Sequence, residues 1–203
     1  MTRKPVGEED LFVVFVEGKP GREAVYRAWF AGSHMANMRA LPGVSSAHAY
    51  AFVEGGDPPP SELCAIYEFA DGPAVLETIG RTKGAAALPQ SDDQGRMVWR
   101  LFETVDCRPA ASLPAERDVI VALIATTDEA GLHRTCAALV DQGAAYVRAL
   151  LLSPVQPTRG SEYGAALVVV WDGADPDVVS CVAGEMDRCF PEVTRRLFAI
   201  KPL

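Results

Sequence analysis

The chain has 203 residues, 49% of them hydrophobic and 23% charged, an ordinary globular composition with material for one large domain or two small ones. A formal net charge of -8 with a pI near 4.9 leaves no concentration of lysine and arginine for a nucleic acid or an anionic membrane surface. Small molecules or proteins are the expected partners. The longest apolar runs, such as AALVVVW at 165–171, are strand-sized and far short of the roughly 20 residues a membrane span needs. The first ten residues, MTRKPVGEED, carry charge with no apolar stretch behind it, so no secretion signal is expected and the cytoplasm is the expected location. Five cysteines (Cys64, Cys107, Cys136, Cys181, Cys189) without C-x-x-C spacing point to reduced thiols used in packing.

In chain order, LFVVFV at 11–16 reads as a strand, and 21–41 carries helical spacing that stops at Pro42-Gly43. Residues 44–53 read as a strand, EGGDPPPS at 54–61 as a loop, 63–69 as a strand, 71–81 as a short helix and 97–105 as a strand. The prolines and small residues of 107–117 suit a linker. The same order then repeats, with strands at 118–125, 145–153, 163–171 and 193–200 and helices at 128–141 and 174–188. The expected fold is α+β: two tandem ferredoxin-like β-α-β-β-α-β halves, residues 1–106 and 118–203. Each sheet would bury one face under helices and leave the other apolar, so the two sheets are expected to cover each other as an intrachain α/β barrel.

The halves are unequal. Matching Phe12 to Val119 gives an offset of 107, whereas matching Val44 to Ala145 gives 101, so the second half lacks about six residues of the first helix and its turn. That stretch carries His34. Tyr26, Phe30, His34 and Met38 recur every four residues and form one stripe, with Val25, Trp29, Gly32, Ala36 and Ala40 forming a second. A neutral imidazole on such a broad apolar side needs a hydrogen-bond partner, and its surroundings can move its pKa either way, which suits a proton-transfer group as well as a satisfied core residue. The following strand alternates Val44, Ser46, His48, Tyr50 and Phe52 with a small-residue face, Ser45, Ala47, Ala49, Ala51 and Val53. The small face suits packing under a helix, which would turn His48 and Tyr50 into the barrel. Trp99 and Arg100 on the last strand of the half are weaker candidates.

The pattern resembles the dimeric α/β-barrel superfamily, and in particular its EthD-like and methylmuconolactone-methylisomerase-like members. The resemblance rests on the duplicated topology and on Trp29-Phe30-x-x-x-His34 followed by Leu41-Pro-Gly-Val44 and Tyr50. It implies a helix-borne catalytic histidine, with ligands held inside the barrel. Lactone isomerases, polyketide cyclases, cofactor-free monooxygenases and haem-handling proteins all share that fold, so it implies architecture more firmly than reaction.

The sequence has no Gly-rich phosphate loop, no H-E-x-x-H and no G-x-S-x-G, and the spacing of its histidines suggests no metal site. The expected function is therefore a cofactor-independent isomerase, lyase or cyclase acting on a small apolar or aromatic carbonyl compound, without metal or cofactor. His34, Tyr50 and His48 are the candidate catalytic residues, and Tyr26, Trp29, Phe30, Met38, Phe52 and Trp99 the candidate substrate-binding residues. The alternatives are a non-catalytic small-molecule binding protein and a cofactor-free or haem-dependent monooxygenase. Assembly through outer surfaces into a homodimer stays open.

Overall fold

The computed structural model describes residues 4–53, 61–154, 163–171 and 178–203. The first half runs β1 (Asp10–Gly18), α1 (Glu23–Trp29), a π-helical turn (Phe30–His34), α2 (Met35–Ala40), β2 (Val44–Phe52), β3 (Leu63–Phe69), α3 (Gly72–Thr82) and β4 (Gln94–Arg108). The second runs β5 (Val119–Ile124), α4 (Glu129–Asp141), β6 (Ala144–Leu152), β7 (Ala165–Trp171), α5 (Val178–Cys189) and β8 (Arg195–Pro202). The expected loop at 54–60 and the start of the last helix at 174–177 lie outside the described residues.

Local chemistry sets the boundaries. Asp71 caps α3 by accepting the Ala74 N–H at 3.1 Å, and Asp128 caps α4 by accepting that of Gly131 at 2.9 Å. Leu41 returns to extended backbone after α2, and Gly43 follows at φ +87°, a left-handed conformation where a Cβ would also lie 2.7 Å from Val75 Cγ2.

The strands close into a ring within the one chain, in the order β1-β3-β2-β8-β5-β7-β6-β4, every neighbouring pair antiparallel. Alternation divides each strand between two environments. Leu11, Val13, Phe15, Tyr50, Cys64, Ile66 and Phe102 meet Val119, Val121, Tyr146, Val168, Phe198 and Ile200 inside the ring. Phe12, Val14, Ala47, Ala65, Tyr67, Phe69 and Leu101 face outward under α1, α2 and α3, and Ile120, Ala122, Val147, Ala149, Leu167 and Val169 do so under α4 and α5.

The expected linker is a structural piece of its own. β4 continues to Arg108, three residues past the expected strand end, so residues 107 and 108 belong to the sheet. The segment after it sends the buried Leu113 into the interior of the ring. Its backbone is held there by charge: Glu68 accepts the Leu113 N–H at 3.0 Å, and Arg148 donates to the Ala111 carbonyl at 2.9 Å. Glu68 and Arg148, both without solvent exposure, pair at 2.9 Å, so removing either would leave an uncompensated buried charge.

Candidate functional site

The expected single helix over 21–41 is interrupted. Between α1 and α2 the backbone widens into a π turn, Phe30–His34, and such turns insert one residue and redirect the side chains around them. The redirected ring is that of His34. It lies 4.9 Å from the Trp29 ring and 5.1 Å from the Phe30 ring, the latter nearly parallel at 15°. His34 Nε2 sits 3.2 Å from the Tyr67 hydroxyl, which is also 3.7 Å from Met35 Sδ, while Nδ1 is buried and unpartnered among the described residues.

Beside this pair lies a cavity of about 260 Å³, between the outer face of the first-half sheet and the helices. Its floor is Phe12, Tyr67 and Trp99, with Phe12 5.8 Å from Tyr67 and 5.3 Å from Trp99 by ring centroids. Tyr26, Phe30, His34 and Met38 form one wall, and Leu76, Ile79 and Gly80 of α3 the other. Lys83, Gln90 and Gln94 stand at its edge. The volume falls just under the roughly 300–1,000 Å³ of drug-sized sites, and apolar walls with a few converging polar groups are how such sites are built.

Burial sets the protonation states. His34 is pushed down to about 4, because the imidazolium loses its hydration, so the ring is neutral near pH 7. The same desolvation raises the Tyr26 and Tyr67 phenols above their ordinary value and keeps both protonated. The cavity therefore combines a neutral base with two phenolic donors.

The expected site residues divide between the two faces of the sheet. His34, Tyr26, Phe30, Met38 and Trp99 line the cavity. Trp29 does not line it, but supports the His34 ring from the side. Tyr50 and Phe52 pack inside the ring of strands, and His48 shares their face of β2, so none of the three meets His34. The physical reason is the strict alternation of β2: the small residues Ala47 and Ala49 pack under the helices as expected, which puts the large ones on the opposite side of the wall from a helix-borne histidine. The His34 cavity accordingly lies outside the barrel wall, while Tyr50 packs among the side chains of the interior. Tyr67, which lines the cavity and meets His34, is not among the expected site residues. Its signal is the alternation Leu63, Ala65, Tyr67, Phe69, which puts one hydroxyl on an otherwise apolar face.

Among the described residues no group of three or more His, Cys, Asp or Glu side chains is placed to hold a metal ion, and no helix is long and apolar enough to cross a membrane.

No family model matches the sequence, and no curated protein does. Solved structures do. A protein assigned as a monooxygenase from Fusobacterium nucleatum subsp. nucleatum aligns with a TM-score of 0.62 at 14% identity, covering 97% of this chain and 93% of that one. An anthrone oxidase-like protein aligns at 0.56 and 12%, covering 96% and 91%. A variant of the chlorite dismutase of Candidatus Nitrospira defluvii aligns at 0.58 and 9%, covering 98% and 92%. At these identities the likeness is one of fold.

Proposed function

The chain carries the fold of the dimeric α/β-barrel superfamily with both ferredoxin-like halves in one polypeptide, and from that premise we propose that it oxygenates a compact aromatic carbonyl compound after removing a proton from it. The observation that carries the reading is the neutral His34 imidazole, paired with the Tyr67 hydroxyl at the wall of an aromatic cavity.

His34 takes a proton from a carbon activated by the substrate carbonyl, and the electron pair left behind spreads onto the carbonyl oxygen. Tyr67 and Tyr26 donate hydrogen bonds to that oxygen as it gains charge. An isolated imidazolium is costly in this setting, but the substrate anion formed in the same step compensates it. The electron-rich anion passes an electron to dioxygen, and the two radicals join as a peroxide. The peroxide then takes a proton and loses water, leaving a new carbonyl. In sum, a CH₂ group and O₂ give C=O and H₂O, so the substrate supplies its own electrons and no separate reductant is consumed. The aromatic walls exclude water from the anion while it waits for oxygen.

The structural neighbours assigned as a monooxygenase and as anthrone oxidase-like support oxygenation over the other outcomes of the same first step. An isomerase, lyase or cyclase would use the same proton removal and return the proton elsewhere. Anthrone as substrate, with oxygen uptake and product followed together, separates them. The expected result is stoichiometric oxygen uptake that falls about a hundredfold in His34→Gln. Turnover that continues without oxygen would replace oxygenation by isomerisation or cyclisation, and saturable binding without turnover would make the protein a carrier.

A further inference from the structure

A second cavity lies at the end of the barrel interior, on the opposite side of the wall from His34. On β4, Met97, Trp99 and Leu101 alternate with Arg96, Val98, Arg100 and Phe102, and the second set faces inward. On β8, Arg196 and Phe198 do the same. The ring order separates β4 from β8, so these arginines enter from different walls and converge on one space of about 160 Å³. Its floor is aromatic. Phe15 and Phe198 lie 6.0 Å apart by ring centroids, both nearly fully buried, with Phe102 beside them and Tyr163 and Leu123 completing the lining.

This arrangement runs against the rest of the molecule, whose formal charge is -8. Arg96 and Arg196, both exposed, bring two guanidinium groups to one small opening, where like charges repel and an anion between them relieves the repulsion. Arg96 and Arg196 have no acidic partner among the described residues. Arg100 donates to the Trp99 carbonyl at 2.8 Å, which fixes the direction of its side chain. Among the described residues no carboxylate lines the space.

We propose that this end of the barrel is a binding site for a small aromatic carboxylate, whose ring rests on Phe15, Phe102 and Phe198 and whose carboxylate is held by Arg96, Arg100 and Arg196. Arginine suits the task because its planar fork matches a carboxylate in two hydrogen bonds. The phenylalanine floor explains why the ligand has an apolar body, since an inorganic anion would leave those faces without a partner. The site is independent of the His34 cavity and does not rest on the reaction proposed there.

Benzoate is the probe, titrated by calorimetry into the full chain at low and at physiological salt, with chloride matched for ionic strength. Saturable binding of one benzoate with a Kd in the millimolar range or tighter is expected, weakening as salt rises. The double variant Arg96→Gln/Arg196→Gln is expected to weaken it about tenfold or more, while Tyr67→Phe, in the other cavity, leaves it within twofold. Circular dichroism of the double variant confirms that the fold is kept, and Phe198→Leu, with both arginines intact, should weaken benzoate by removing part of the ring's platform. Absence of saturable binding overturns the proposal. So does benzoate binding that the arginine variant leaves unchanged, and so does phosphate binding that is as tight as benzoate.

Discussion

The two halves of the barrel share a topology and differ in how they treat the layer between sheet and helices. In the second half, α4 and α5 lie against each other on a floor of small and aliphatic residues, and Leu132, Cys136, Leu139, Val182 and Met186 are buried in the layer. In the first half the floor is aromatic, and the α1–α2 arm and α3 stand on either side of an open cavity. The outer face of the first sheet carries Phe12, Tyr67, Phe69 and Trp99, whereas that of the second carries Ala122, Ala149 and Ala165. Rings tile a flat surface well but leave gaps at their edges. The π turn adds to the difference, since it lifts the His34 ring over that space and has no counterpart in the single helix α4. The cavity at His34 belongs to the first half.

Acid should expose that difference most strongly. His34 is held near 4, below the ordinary value of about 6.5, so the unfolded chain takes up its proton first. The stabilising contribution is complete above pH 6.5 and is lost progressively as pH falls from 6.5 toward 4, by about 3 kcal/mol in all. Denaturant unfolding at a series of pH values should therefore show a steeper loss for the wild type than for His34→Phe over that window. Parallel curves would mean that His34 is hydrated.

A smaller effect tests whether the cavity is surplus space. Gly80 lies in α3 at the cavity wall, and a Cβ there meets no atom within 4 Å. Gly80→Leu should gain roughly 1 kcal/mol from helix propensity, visible as a melting temperature a few degrees higher, while blocking anthrone turnover. This would make the first half resemble the second. A destabilised protein would show that the space is needed by the fold. The mildest change is Tyr67→Phe, which removes the hydroxyl partner of His34 Nε2 and should cost about 1 kcal/mol of stability, with turnover reduced about tenfold. Unchanged turnover would remove Tyr67 from the site.

Much of this architecture could be read from the chain. The unbroken apolar runs LFVVFV and AALVVVW mark strands, because a strand covered on both faces of its sheet buries every side chain, and the repeat of the element order implied that the second sheet covers the first. The shortfall of about six residues in the second half falls on the first helix, beside which the cavity at His34 lies. Other features had no local signature. A π turn differs from an α turn by one residue, and Gly32-Ser33 allows it without requiring it. Which side of the wall leaves room for a cavity depends on how tightly the interior packs, and that is decided by both halves together. Tyr67 met His34 only through a contact spanning 33 positions, and the segment around Leu113 read as a linker because its two anchors, Glu68 and Arg148, lie far away in sequence.

A pH titration of the imidazole resonances by NMR tests most directly whether His34 stands as a neutral base beside the aromatic cavity. Assignment follows from variants of His34, His48 and His133. On this account the His34 ring titrates near pH 4, the burial that lowers it being reported by the ring itself. A His34 resonance that titrates near pH 6.5, as a hydrated imidazole does, would contradict the account.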